Sequence, residues 1–296
     1  MKVVFDDKIS RRNFIFFILS SIKIEFSTHI RQLTRRIRIL PDFLIIGASR
    51  SGTTSLYNYL TMHPYVIPAF RKEIHYFERN FQRGINWYKS FFPTQLYKYI
   101  IRFILKRRII TGEATPGYIL YPSIPKKVFS LLPNVKLIIL LRNPIDRAYS
   151  HYKYIVKLGK ENLSFKIAIK KEQERIKNEL EKALNDENYD SDYLRQFSYL
   201  ARGIYIDQIK NWRNFFPKNH FLIIKSEDFF ENPSNVLKRI CKFLDIPYYE
   251  FKNFKKFSSG ISREIDSKTR EFLISYFEPY NKSLYNYLDI NFDWDK

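Results

Sequence analysis

The sequence predicts an α/β fold, a P-loop-like three-layer α/β/α domain with a central parallel β-sheet. Three mostly apolar runs carry this prediction, because strands buried on both faces of a parallel sheet read as nearly continuous hydrophobic segments. The runs are residues 43–46, 135–141 and 221–224. Each is followed by a turn and then by residues at helical spacing, the alternation that is typical of doubly wound folds.

The 296 residues suffice for one large domain with a substantial core. Neither an internal repeat nor a low-complexity linker divides the chain. Residues 1–40 differ in composition from the rest, so we predict a basic N-terminal extension over 1–40 and one α/β domain over 41–296.

A formal net charge of +21 favours anionic partners. These include a nucleotide, a phosphorylated or sulfated substrate, a membrane surface or nucleic acid. The single cysteine, Cys241, excludes an internal disulfide, and its apolar neighbours at helical spacing predict a core position. One cysteine and five scattered histidines predict no metal site.

The N-terminal extension carries nine Lys/Arg and three Asp/Glu, a local charge of +6. Its apolar run, residues 14–22, is shorter than the roughly 20 residues that span a bilayer. Residues 10–14 read SRRNF, like a twin-arginine signal, but no small-residue cleavage site follows, so we expect no export. Arginines interleave with apolar residues at helical spacing over 30–40. This pattern suits either peripheral membrane contact through residues 8–40 or a helix packed on the domain, and we expect a cytoplasmic protein, membrane-associated in the first case.

The first strand runs into a glycine-bracketed turn, GASRSGTT, and then into a helix that ends before Pro64. This order makes a phosphate cradle, because free N–H groups and the helix dipole favour an anion. The spacing resembles the nucleotide-binding G-x-x-x-x-G-K-[ST] loop, but Thr53 replaces the lysine and the basic residue is Arg50. The change disfavours a kinase or NTPase. The alternative is a turn in which the glycines serve only the backbone.

The next polar segment, RKEIHYFE, holds Glu73 and His75, either of which could act as a general base. The alternative is a solvated run of alternating charge. An aromatic cluster over 84–93 could stack on a sugar or belong to the core.

The second strand ends at Arg142, and Asn143 with Pro144 predicts the cap and first turn of the following helix. Ser150 lies about two turns into that helix. Because ligands bind at the carboxyl edge of an open parallel sheet, Arg142 could hold a phosphate. The alternative is an ion pair between Arg142 and Asp146.

The remaining pattern predicts a short strand over 109–112, a loop over 113–118 and a helix over 198–216. It also predicts a polar helix over 165–185 that is either solvated or flanks an acceptor groove. A capped helix follows Asn232, then a basic loop over 252–264, and a last helix over about 267–288.

From Asp42 to the C-terminus the chain resembles the sulfotransferases that use 3′-phosphoadenosine 5′-phosphosulfate, nearest to the heparan-sulfate and bacterial carbohydrate-type branch. Four segments carry the resemblance in the family's order. They are FLIIGASRSGTTSLYNYLTMHP, RKEIHYFERNFQRGINWYKSFFP, VKLIILLRNPIDRAYSHY and GIYIDQIKNWRNFFPKNHFLIIKSEDFFENPSNVLKRICKFLDIP.

The resemblance implies a role for each matching residue. Binding of the 5′-phosphosulfate falls to Arg50, Ser51, Gly52, Thr53, Thr54 and Ser55. The 3′-phosphate falls to Arg142 and Ser150. A loop that closes over the nucleotide includes Lys256, Ser258, Ser259 and Gly260.

On the acceptor side, the resemblance makes Glu73 the base, with His75 assisting and Glu78 orienting the acceptor. We also assign Trp87 and Arg83 to acceptor binding. The sulfuryl group would pass in line to a hydroxyl or amine, with Arg50 stabilising charge and no metal needed.

Three departures from the family pattern matter. Arg50 stands where lysine is usual, and arginine practically never gives up its proton. Ala114 replaces a lysine near the acceptor, which disfavours heparan sulfate. The late loop is short and lacks cysteine. The acceptor is therefore left open among carbohydrate, lipid and small metabolite. The alternatives from other classes are a P-loop kinase or NTPase and a basic nucleic-acid or membrane-surface binding protein, and we expect no nucleic-acid partner.

Overall fold

A computed structural model describes residues 29–106, 108–186, 189–251 and 265–294. Its centre is a five-stranded sheet in the order β2-β3-β1-β4-β5, and every neighbouring pair is parallel. The strands are β1 (Phe43–Gly47), β2 (Val66–Pro68), β3 (Ile110–Ala114), β4 (Lys136–Leu141) and β5 (Phe221–Lys225). The α/β class with a central parallel sheet is therefore confirmed.

Helices connect the strands and cover both faces. They are α1 (Thr53–Met62), α2 (Gly84–Lys89), α3 (Gln95–Leu105), α4 (Ile124–Leu131), α5 (Pro144–Lys157), α6 (Phe165–Lys170), α7 (Glu172–Asn185), α8 (Asp192–Phe197), α9 (Tyr205–Arg213), α10 (Ser226–Glu231), α11 (Pro233–Phe243) and α12 (Ser267–Leu288). A π-helical turn spans Tyr76–Asn80, and it begins within the polar segment that holds Glu73.

Alternation along β1 divides the core into two layers, because successive strand side chains point to opposite faces. Phe43 and Ile45 pack with apolar residues of α1 and α11. Leu44 and Ile46 pack with residues of α4, α9 and α12, including the fully buried Trp212. All five residues of β1 are buried, so this strand lies in the middle of the three layers and fixes where its terminal loop lies.

The three apolar runs form strands, the last helix has the predicted bounds, and Cys241 is buried as expected. Other boundaries differ. Residues 66–68 form an edge strand where only a connector was expected, and β3 continues to Ala114. The predicted helix over 198–216 begins only at Tyr205.

The predicted solvated helix over 165–185 is two helices, and one side of it is buried. Glu172 is one of the buried residues, and its carboxylate accepts hydrogen bonds from the backbone N–H groups of Leu200 (2.6 Å) and Ala201 (2.8 Å). Burial raises the pKa of Glu172 to about 7. This contact between distant segments is buried, although the sequence of the helix is polar.

No helix within the described ranges is long and apolar enough to cross a membrane.

Gly112 of β3 allows β3 to lie against β1, since a Cβ there would come within 2.5 Å of the Phe43 carbonyl oxygen. We expect Gly112→Ala to lower the free energy of unfolding by about 1–3 kcal/mol, because a backbone atom cannot move aside. Gly117→Ala is the matched control, since its Cβ would meet only ordinary contact, 3.5 Å from Glu78 Oε1. Urea unfolding of both variants measures the difference, and equal midpoints would contradict the prediction.

Candidate active site

The loops at the carboxyl ends of β1, β3 and β4 surround a cavity of about 640 Å³. This is the edge at which parallel sheets bind ligands. The lining residues are Ser49, Arg50, Gly52, Thr53, Thr54, Ser55, Glu73, His75, Glu78, Arg79, Pro116, Gly117, Tyr121, Arg142, Ser150, His151, Tyr154, Arg195, Arg202 and Phe230.

The phosphate cradle forms one wall of this cavity. Gly52 is left-handed (φ 88°), and a Cβ there would lie 2.9 Å from the Phe230 ring, so both conformation and space require glycine. Helix α1 begins at the next residue, and Gly52 has no side chain with which to cap its first N–H groups. The first N–H groups of an α-helix have no partner within the helix. Those of Thr53, Thr54 and Ser55 are therefore available for an anion.

Arg50 connects the cradle to Arg142 and to helix α5. Its Nε donates to Ser150 Oγ on α5 (3.2 Å), and its carbonyl oxygen accepts from Arg142 Nη1 (3.2 Å). Its guanidinium lies 4.9 Å from the centre of the Tyr154 ring. Burial, and to a smaller extent the charge of Arg142, lowers the pKa of Arg50, while Tyr154 acts in the opposite direction. The two predicted donor-binding segments are therefore in direct contact.

The same cavity is lined by two carboxylates with a histidine between them. His75 Nδ1 is 2.5 Å from Glu78 Oε1, and His75 Nε2 is 3.7 Å from Glu73 Oε2. Glu73 also pairs with Lys72 and is 40% exposed, whereas the Glu78 side chain is only 3% exposed. The second oxygen of Glu78, Oε2, is buried and has no partner among the described residues.

A buried hydrogen-bond network lies beneath this carboxylate pair. Glu113 is fully buried and accepts from Tyr88 (2.7 Å), Thr115 (2.6 Å) and Tyr118 (3.1 Å). The Tyr118 oxygen in turn accepts from the backbone N–H of Tyr76, the residue after His75 (3.0 Å). Burial raises the pKa of Glu113. The network fixes the backbone that carries His75.

Some predicted site residues lie elsewhere. Ser51 is fully buried behind the cradle, where its carbonyl accepts from Ser226. Trp87 packs against Tyr76 and Phe91, with Arg83 over its ring, outside the cavity lining. Their assignment to acceptor binding stays a prediction. Lys256, Ser258, Ser259 and Gly260 lie outside the described residues.

Asp146, the alternative partner of Arg142 in the sequence, pairs instead with Arg270 (3.2 Å). No group of three metal-binding side chains occurs within the described ranges.

Sequence reasoning did not assign several lining residues to the site: Arg79, Tyr121, His151, Tyr154, Arg195, Arg202 and Phe230. Tyr154 could have been found, because it follows Ser150 by four residues on one helical face. Arg195, Arg202 and Phe230 carry no such signal, since they come from α8, the turn before α9 and α10, far along the chain.

His151 is a buried cavity residue next to Ser150. Its Nε2 lies 3.1 Å from the Gln196 carbonyl oxygen and therefore donates to it, while Nδ1 is buried without a partner among the described residues. Burial, followed by the positive charges of Arg202 and Arg147, holds the pKa of His151 well below its usual value. The folded protein thus keeps this imidazole neutral.

A family model described as "Sulfotransferase domain" matches residues 40–273. The match covers most of the chain, so the chain belongs to the sulfotransferase family. It is an enzyme that transfers a sulfuryl group from 3′-phosphoadenosine 5′-phosphosulfate, as the resemblance in the sequence implied. Because the chain belongs to this family, it is neither a P-loop kinase or NTPase nor a module that only binds nucleic acid or membranes.

Among similar proteins, the membrane-associated sulfotransferase kil1 of Dictyostelium discoideum is 29% identical, over 88% of this chain and 67% of its own. The bifunctional heparan sulfate N-deacetylase/N-sulfotransferase 1 of Caenorhabditis elegans is 30% identical over 78% of this chain, which spans about a quarter (25%) of that protein. A crystal structure of a sulfotransferase from Alicyclobacillus acidocaldarius is 28% identical, with a TM-score of 0.64 over 87% of this chain and 100% of its own.

The neutral, buried state of His151 predicts a loss of stability in acid. Below a pH of about 6.5 the unfolded chain binds a proton on this residue and the folded chain does not. We expect the free energy of unfolding to fall as the pH drops below that value, by up to about 1.4 kcal/mol per pH unit from this group.

His151→Gln, which can still donate to the Gln196 carbonyl, should have a shallower pH slope in urea unfolding between neutral and mildly acid pH. Part of the slope should remain, because burial also lowers the pKa of His63. An unchanged slope in the variant would show that His151 does not titrate as described.

Proposed function

We propose that the cavity holds the donor nucleotide between the cradle and Arg142 and presents its sulfuryl group to an acceptor beside Glu73. The observation that carries the proposal is the direct contact of Arg50 with both Arg142 and Ser150, in the same cavity that Glu73 lines. This contact supports two neighbouring sites for phosphate groups in a cavity that also holds a carboxylate.

The residues present suit a nucleotide with a charged group at each end. At the cradle, the helix-start N–H groups and Arg50 suit the 5′-phosphosulfate. At α5, the Arg142 guanidinium can bind the 3′-phosphate in a bidentate manner, and Ser150 Oγ adds a hydroxyl. The absence of the usual P-loop lysine at Thr53 fits a donor that needs no magnesium-bound triphosphate.

The donor supplies an activated sulfuryl group with a phosphate leaving group. The chain supplies position and charge, the terms that dominate transfers with a loose transition state. Glu73 accepts the proton of the attacking hydroxyl or amine. Arg50 stabilises the negative charge that develops on the leaving oxygen, without giving up a proton.

His75 assists by lying between the two carboxylates. With Nδ1 directed at Glu78, its Nε2 faces Glu73, so the ring orients the carboxylate that acts as base. Glu78 Oε2 is buried and has no partner among the residues that the structure describes, which is costly, and an acceptor hydroxyl could donate a hydrogen bond to it. This supports a role for Glu78 in orienting the acceptor.

We propose a carbohydrate acceptor that offers a hydroxyl or an amine. Support comes from the polar and charged cavity wall beyond Glu78, formed by Arg79, Arg195 and Arg202, and from relatives whose names include heparan sulfate. Ala114 argues against heparan sulfate itself, because this fully buried strand residue leaves no cation at the position.

We also propose peripheral membrane contact through residues 8–40, of which 29–40 are described. Leu33 is 84% exposed, and Ile30 and Ile37 are exposed as well. Arg31 and Arg38 do not face the water, because they donate to backbone carbonyls of Ser90 and Phe92. The relative kil1, named as membrane-associated, supports the proposal.

Loss of the Arg142 side chain should weaken donor binding. We expect Arg142→Ala to raise the dissociation constant of 3′-phosphoadenosine 5′-phosphate about 10- to 100-fold, since charged hydrogen bonds are worth about 1.5–3 kcal/mol. Isothermal titration calorimetry measures the constant. Arg83→Ala is the control and should bind like the wild type. If both variants bind equally well, the 3′-phosphate assignment is wrong.

Removing the base should slow transfer without affecting donor binding. We expect Glu73→Gln to lower kcat about 10²- to 10⁴-fold, with the donor dissociation constant essentially unchanged. Arg50→Ala should lower both kcat and donor affinity. The measurement is transfer from labelled donor to a soluble carbohydrate found by screening. A Glu73→Gln variant as fast as wild type would refute the base assignment.

A further inference from the structure

Helix α3 exposes apolar side chains along most of its length. Phe103 is 75% exposed, and five further large apolar residues of the helix are also exposed. They are Leu96, Tyr97, Tyr99, Ile100 and Ile104. Residues at i, i+3, i+4 and i+7, here Leu96, Tyr99, Ile100 and Phe103, lie on one side of a helix, so these side chains form a continuous apolar stripe.

The contact of α3 with the domain is small. Lys98 forms an ion pair with Asp42 (3.1 Å), and Ile101 is half-buried one turn later. A helix of 11 residues is marginal in water unless an apolar face is buried. None of the described residues provides the cover over the stripe on α3 that would stabilise the helix.

The flank of the stripe is basic. Residues 95–108 contain no Asp or Glu. Arg102, Lys106 and Arg108, with Tyr99 and Phe103, line a shallow groove of about 580 Å³. Cations beside large apolar and aromatic residues on one helix are the pattern of helices that lie in the interface of anionic membranes.

We propose that α3 is a membrane-docking helix, whose apolar stripe enters the interface of an anionic lipid surface while Arg102 and Lys106 contact lipid headgroups. Charge complementarity selects this occupant, because Arg102 and Lys106 flank the C-terminal end of the stripe. The exposure of the stripe along one side of the helix suits a fluid, planar surface. This inference goes beyond the proposed transfer reaction and involves different residues from the contact proposed for 8–40.

The N-terminal segment reaches the same part of the molecule. Arg38 forms an isolated antiparallel bridge with Thr94, the residue before α3, and Arg31 donates to the Ser90 carbonyl. Residues 29–40, the described part of the N-terminal extension, thus contact the chain next to the start of α3.

Docking through α3 leaves the cavity facing water. Asp42, which anchors α3, directly precedes β1, and Arg108 precedes β3, so both mark the amino edge of the sheet. The cavity lies at the carboxyl edge. A protein bound in this way would receive its acceptor from the aqueous phase.

The test is flotation of the full-length protein with vesicles of phosphatidylcholine, with and without phosphatidylserine. We expect the wild type to bind the anionic vesicles more strongly. Phe103→Glu should lower the partition coefficient at least about tenfold, because the variant removes an aromatic side chain from the interface and adds a negative charge next to anionic lipid. Phe272→Glu, at an exposed phenylalanine of α12, is the matched control and should bind like the wild type.

The charge is tested in the same way. Arg102→Glu combined with Lys106→Glu should remove the preference for anionic vesicles, whereas Lys177→Glu on the exposed side of α7 should not. All variants should keep their thermal midpoint and their stabilisation by 3′-phosphoadenosine 5′-phosphate, which shows that fold and donor site are intact.

Other results would overturn the proposal. Wild-type binding by Phe103→Glu would mean that the stripe does not touch lipid, and failure of the wild type to bind anionic vesicles would mean the same. Wild-type dimers that Phe103→Glu converts to monomers, without vesicle binding, would identify a second copy as the partner. Leu33→Glu separately tests the contact proposed for residues 8–40, so either contact can fail alone.

Discussion

The hydrogen bond from Arg142 to the Arg50 carbonyl is the contact on which the site depends. It joins residues 92 positions apart in the chain, and it is possible because β1 and β4 are parallel neighbours whose carboxyl ends meet at one edge. Ser150 adds a second bond to Arg50 from the helix that follows β4. These bonds hold the segments that carry Arg50 and Arg142 side by side in the lining of the cavity.

Concentrating cations in this way has an energetic cost. Desolvation, and to a smaller extent the charge of Arg142, lowers the pKa of Arg50, while Tyr154 acts in the opposite direction. The proposed polyanionic nucleotide would offset the repulsion between the two cations by pairing with both. The chain is strongly basic overall, which draws such a ligand toward the cavity.

Backbone conformation adds a second form of pre-organisation. Arg50, Glu73 and His75 all have positive φ angles (72°, 57° and 55°), although none is glycine. Such angles are uncommon for these residue types and persist only where the surroundings enforce them. Around His75 the surroundings are the Glu113 network and the π-helical turn, which together aim the two carboxylates into the cavity.

The two edges of the sheet carry different kinds of residue. The carboxyl edge gathers the polar residues of the cavity, and the amino edge carries α3 with its apolar stripe and basic flank. The separation follows from topology, because every strand is parallel and every crossover returns to the same edge.

Local sequence patterns were enough to predict the fold class, the three central strands, the cradle and the segments that bear Glu73 and Arg142. These are local signals: apolar runs, glycines at a turn, and a cap before a helix. The tertiary structure decided which distant residues complete the cavity. Arg195, Arg202 and Phe230 join it through chain crossovers, and Glu172 is buried by contacts that no local pattern encodes. The tertiary structure also decided that no described residue covers the apolar face of α3. Whether an amphipathic helix finds a partner depends on the packing around it and not on the spacing of its own apolar residues.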